Sequence, residues 1–207
     1  MKNVPRSHLV LLLAVVAVIL WSGWRPYSGF TWWLEVSPGL LGLAVLFATY
    51  RRFPLTTLCY TLIALHICVL AVGGHYTYAR VPLFEWLRPL FGWERNNYDR
   101  LGHLMQGFVP AIIAREVLLR LDVLKRKNWL PFVVVSMCLA ISAVYELGEW
   151  WTALVSGAAA NDFLGSQGDV WDTQSDMCLA LVGALSALIF LSALHDRALA
   201  KFEGKRK

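Results

Sequence analysis

Six stretches of this chain stay apolar for about the thickness of a bilayer, and few folds accommodate that. A helix needs about 20 mainly apolar residues to cross the hydrocarbon core. The stretches run approximately from His8 to Gly23, Leu34 to Tyr50, Leu55 to Gly73, Asp99 to Leu121, Trp129 to Trp151 and Asp172 to His195. With 57% hydrophobic and 16% charged residues among 207, too little polar surface remains to cover a water-soluble globule. Inside a bilayer the backbone must pair its own polar groups, which a helix does within one segment. The expectation is an all-α, polytopic membrane helical bundle of about six transmembrane helices, forming a single integral membrane domain over residues 1–207.

Two of these stretches need comment. No small-residue cleavage site follows the first before Trp21, Trp24 and Tyr27, so it reads as a retained signal anchor with an interfacial aromatic belt. In the second, Glu35 leaves a short clean apolar core, Trp32 and Trp33 mark the interface, and Pro38 falls near the expected start, where a missing donor matters little. Cys59, Cys68, Cys138 and Cys178 lie inside apolar runs without CxxC spacing and are expected as packing residues.

Loop charge orients the spans. Placing alternate loops on opposite sides puts thirteen Lys and Arg residues on one side, among them Lys2, Arg51, Arg52 and the tail group Lys205, Arg206 and Lys207. The other side holds five: Arg25, Arg80, Arg88, Arg95 and Arg100. The positive-inside rule then predicts that both termini are cytoplasmic and that the three remaining loops lie outside. Basic residues scattered over short loops leave no patch for nucleic acid, and the lipid bilayer is the expected partner. The longest external loop, residues 74–98, contains Pro82-Leu-Phe-Glu-Trp-Leu-Arg-Pro-Leu-Phe91. That segment suits a short element in the outer interface or, equally, a packed lid, with Pro89 limiting any helix to about two turns.

Ionisable residues gather at the outward ends of these spans. Asp99, His103 and Gln106 share one helix face. Glu146 and Glu149 close the fifth span. Asp169, Asp172 and Asp176 form one stripe if the last helix begins by Asp169, and His75 ends the third span. Two charges about 5 Å apart repel by roughly 3 kcal/mol at an effective dielectric near 20. Six carboxylates therefore need counterions: Arg95 and Arg100 in part, retained protons, or most directly a divalent cation such as Mg²⁺, Mn²⁺, Fe or Zn²⁺. Capping accounts for Asp99, Asp169 or Asp172 taken singly. Glu146 and Asp176 lie a turn deeper, and the joint placement points to a site. By contrast His66 suits a hydrogen-bonded packing role, His195 a helix end, and Arg115-Glu116 local pairing.

The motifs Asn96-Asn-Tyr-Asp-Arg-Leu-Gly-His-Leu-Met-Gln-Gly-Phe108, Val144-Tyr-Glu-Leu-Gly-Glu-Trp-Trp151 and Gly165-Ser-Gln-Gly-Asp-Val-Trp-Asp-Thr-Gln-Ser-Asp-Met177 resemble the YjdF-like bacterial inner-membrane proteins over nearly the whole chain. More distantly the arrangement is similar to VanZ-like membrane proteins. There an Asp-x-x-x-His helix start, a later Glu and a closing Asp-x-x-Asp recur, matched here by Asp99 and His103, Glu146, and Asp169 with Asp172. Asp176 departs from the asparagine those proteins tend to carry. The resemblance implies a multipass inner-membrane protein and supplies no reaction.

The function expected from these residues is a metal-dependent hydrolase or phosphotransferase acting on a lipid-linked or envelope substrate. Asp99, His103, Glu146, Asp172 and Asp176 would be ligands or general base, with Glu149 and Asp169 completing the metal set from outside. Arg95 and Arg100 would attract an anionic head group, and His75 would act as outer ligand or acid. A cation- or proton-coupled permease and a structural partner of an envelope complex remain alternatives.

Overall fold

The structure, a computed structural model, describes residues 4–157, 163 and 166–204. Lys2, Gly165, Lys205, Arg206 and Lys207, named above, lie outside the described residues. Among those described there are seven α-helices and no strand. The helices are α1 (Arg6–Gly23), α2 (Gly29–Thr49), α3 (Thr57–Tyr76), α4 (Pro82–Phe91), α5 (Tyr98–Arg120), α6 (Leu130–Ser156) and α7 (Asp172–Gly204), with 3₁₀ turns at Tyr78–Arg80 and Lys127–Trp129.

Several boundaries differ from those expected. The Ser28 hydroxyl accepts from the Thr31 N–H at 3.2 Å and starts α2 at Gly29. Pro38 therefore lies in the helix interior rather than near its start. Its missing N–H leaves the Leu34 carbonyl open, and the Ser37 hydroxyl donates to that oxygen at 3.1 Å. Helix α4 is longer than two turns, because Pro89 falls in its last turn and costs few hydrogen bonds. Helix α7 begins at Asp172, leaving Asp169 in the preceding turn, so the expected three-carboxylate stripe shortens to Asp172 and Asp176.

Five helices, α1, α2, α3, α6 and α7, are long and apolar enough to cross a membrane. Helix α5, with His103, Gln106, Pro110, Arg115 and Glu116 among its residues, is not one of these, yet its 23 residues extend about 35 Å. It packs among α3, α6 and α7, so its polar groups meet protein instead of lipid. Phe47, Phe132, Val155 and Phe190 supply an apolar outer surface on the surrounding helices.

Backbone proximity fixes α5 against α7. A Cβ on Gly107 would collide with the Ala180 carbonyl, and one on Gly183 with the Leu104 carbonyl. Buried Ala111, Ala184 and Ala187 extend this small-residue seam. Below the site end, Val109, Ile112, Val134 and Cys138 form a closed apolar layer with Leu62 of α3.

At the opposite end a buried polar network joins α3, α5 and α7. Glu116 accepts from the Thr56 N–H at 2.9 Å, the Thr56 hydroxyl at 2.7 Å, the Cys59 thiol at 3.1 Å and Arg120 Nη1 at 2.8 Å. His195 Nε2 lies 3.1 Å from the same carboxylate, while Arg115 Nη1 lies 2.9 Å from Nδ1. An arginine only donates, so Nδ1 accepts and the Nε2–H points at Glu116. These findings correct three expectations. His195 is fully buried mid-helix because α7 continues to Gly204, Glu116 reaches well beyond its own helix, and Cys59 is a hydrogen-bond donor.

Candidate carboxylate and histidine site

Asp99 occupies the second position of α5, one turn before His103, so both side chains point the same way. Asn96 Oδ1 accepts from the Tyr98 N–H at 3.1 Å at the start of the helix. Helix α7 is locked alongside by the glycine seam and places Asp172 and Asp176 opposite. Helix α6 brings Glu146. His103 Nε2 lies 3.4 Å from Asp99 Oδ1 and 3.9 Å from Asp176 Oδ2, and its Nδ1 lies 3.6 Å from Glu146 Oε1. Ligand atoms of Asp99, His103 and Asp176 all fall within 4.8 Å of one another.

These groups are buried, with Asp176 only 1% and His103 only 4% exposed. Asp99 Oδ2, His103 Nδ1, Glu146 Oε1 and Asp176 Oδ1 have no hydrogen-bond partner among the described residues. Native proteins rarely bury even one such atom unpaired, and this cluster of side chains holds four.

Arg95 turns into the protein, with Nε and Nη2 lacking a hydrogen-bond partner among the described residues. Its Nη1 lies 2.6 Å from Asp172 Oδ1 and donates to the Ser166 carbonyl at 2.5 Å, with Asp169 at 3.9 Å and Asp99 at 4.0 Å from its terminal nitrogens. Arg100 is more open, its side chain 40% exposed and 3.5 Å from Asp169 Oδ2. Asp169 itself caps locally, accepting from the Trp171 N–H at 2.9 Å. Glu149 is buried one turn beyond Glu146. His75 stands apart from this cluster: its Nδ1 lies 2.9 Å from the Ser22 carbonyl, and its ring stacks on Trp21.

Glu35 was not anticipated as a neighbour of the site. It is buried on α2 and accepts from the Tyr145 hydroxyl at 3.2 Å, and the Tyr145 ring meets His103 edge-on at 5.9 Å. Tyr78 reaches the same region because Gly73 and Gly102 leave room for its ring, where a Cβ on either would collide. The sequence signal was present: Glu35 interrupts an otherwise apolar span, and an intramembrane carboxylate needs a partner.

The chain is 49% identical over 190 residues to Inner membrane protein YjdF of Escherichia coli (strain K12), covering 92% of this chain and 91% of that relative. No solved structure gives a significant match. The more distant VanZ likeness has no counterpart among these matches. The family described as Predicted membrane protein (DUF2238) matches residues 7–197, and the chain belongs to it.

Proposed function

We propose that this protein is a multipass inner-membrane protein that holds a divalent cation between α5 and α7 and uses it in phosphoryl-ester chemistry on a lipid-linked envelope substrate. One observation carries the reading: ligand atoms of buried Asp99, His103 and Asp176 lie within 4.8 Å of one another, and each of the three side chains also carries a buried atom without a hydrogen-bond partner among the described residues. A divalent cation would satisfy the carboxylates and offset their mutual repulsion. His103 would bind through Nε2, leaving Nδ1–H to Glu146, the arrangement in which a carboxylate orients a ligating imidazole. Asp172 would stay with Arg95, Glu149 and Asp169 would lie outside the ligand set, and Arg100 would meet an anionic head group at the mouth. The loop charges support a periplasmic site and cytoplasmic termini.

The alternatives, a cation- or proton-coupled permease and a structural partner, draw less support. A buried apolar cluster that includes Val109 and Ile112 packs the middle of α5, and both Glu116 oxygens at the far end have partners. Elemental analysis of detergent-purified protein beside Asp99→Asn, His103→Ala and Asp176→Asn tests the reading. Stoichiometric metal in the wild type, lost in each folded variant, is the expected result and would justify assaying lipid phosphoesters. Wild-type protein that stays metal-free after loading with Mg²⁺, Mn²⁺ or Zn²⁺ overturns it.

A further inference from the structure

Helix α4 has two unlike faces and stands outside the spans. Leu83, Trp86, Leu90 and Phe91 are 59%, 66%, 64% and 63% exposed, and the first three follow the i, i+3, i+7 spacing of one helical stripe. Phe84 turns the other way, meeting Tyr98 edge-on at 5.1 Å and stacking on Trp93 at 6.1 Å. Pro82 at the first position and Gly92 at φ 65° bound the helix. Large apolar side chains left in water forgo the gain that burial brings. A cover for this stripe is therefore expected.

The rest of the molecule identifies that cover. Alternating chain direction brings the end of α1, the start of α2, the end of α6 and the start of α7 to the end where the site lies. These termini carry exposed Trp21, Trp24, Trp33, Trp150, Trp151 and Trp171. At the opposite end Trp129 is the exposed tryptophan among the described residues. Tryptophans gather at head-group level, so this girdle marks a membrane boundary, and Trp86 continues it. We infer that α4 is an in-plane interfacial helix, its Leu83, Trp86 and Leu90 stripe seated in the lipid at the membrane face where the carboxylate site opens.

Asn96 ties the depth of this helix to that of the site. Fully buried, it donates through Nδ2 to the carbonyl of Val81, the N-cap of α4, at 3.1 Å and to Glu85 Oε1 in its first turn at 3.0 Å. Its backbone N–H donates to Gln167 Oε1 at 3.1 Å, and its carbonyl accepts from Gln167 Nε2 at 2.8 Å. Arg95 and Asp99 flank one side of this knot and Asp169 the other. The lipid that seats α4 thereby sets the level of Arg100 and the mouth. This inference does not depend on a metal being bound.

The test places the photoreactive residue benzoylphenylalanine at Trp86 or Leu90 of the full chain, reconstituted in vesicles of phosphatidylethanolamine and phosphatidylglycerol. Phe190, 74% exposed on α7, serves as lipid-facing control, and Glu94 as aqueous control. Mass spectrometry should find phospholipid adducts at 86, 90 and 190 and none at 94. A Leu83→Glu, Leu90→Glu double variant should lose the adduct at 86 while keeping that at 190. Adducts at 86 and 90 to this chain, to a second copy or to another protein, or no lipid adduct there while 190 gives one, would overturn the inference.

Discussion

His103 Nδ1 sits 3.6 Å from Glu146 Oε1 across the α5–α6 boundary, while Nε2 of the same ring faces Asp99 and Asp176. In the proposed site the two nitrogens would have separate tasks, one turned to the cation and one to an orienting carboxylate. Glu146→Ala should weaken divalent-cation affinity by about 10–100-fold, as expected for loss of an orienting partner. Stoichiometry at saturating metal should stay unchanged, and Glu146→Gln should lose less because its amide oxygen still accepts. Competitive metal titration with a chelating dye measures both. Equal losses of stoichiometry for Glu146→Ala and Asp176→Asn would make Glu146 a ligand instead.

The Glu116 network bears on stability and not on the site. Replacing Glu116 by Ala strands Arg120, His195 and the Thr56 donors in a buried environment, a change that costs about 3–5 kcal/mol when a buried pair is broken. Thermal unfolding in detergent should show a large drop, and Glu116→Gln a smaller one. Metal binding by whatever folded Glu116→Gln protein remains should match the wild type.

Spans could be read from the sequence because a run of about 20 apolar residues has few fates. Asp99, His103, Glu146 and Asp176 could be brought together on paper because helix spacing fixes a face and alternating loops fix an end. Glu35 was missed for a physical reason. A lone carboxylate has no sequence neighbour to reveal its partner, and Tyr145 is 110 residues away. Glu116 and His195 escaped similarly, 79 residues apart, and His195 looked terminal only because the hydrophobic run ends before the helix does.

Tyr145→Phe isolates the Glu35 contact. Losing the hydroxyl takes one donor from a buried carboxylate, which costs about 1–3 kcal/mol. The aromatic ring beside His103 is preserved, so metal stoichiometry should hold while thermal stability falls. A metal-free Tyr145→Phe protein of normal stability would place Glu35 and Tyr145 inside the binding machinery.

Orientation is open to a paired reporter experiment. Alkaline phosphatase fused after Lys207 should be inactive, and green fluorescent protein at the same point should fluoresce, because both termini are expected on the cytoplasmic side. The reverse pattern would put the carboxylate cluster in the cytoplasm and remove the envelope substrate from consideration.

The collision of any side chain at Gly107 with the Ala180 carbonyl has a consequence for how the site can change. Gly107→Leu should cost at least about 1–3 kcal/mol through overpacking, read as loss of monodisperse protein in detergent. More broadly, α5 and α7 behave mechanically as a single two-ribbed beam. Asp99, His103 and Asp176 sit on that beam, whereas Glu146 sits on α6. A cation held as proposed would thus meet three groups on one fixed jaw, with Glu146 facing them from a separate rib.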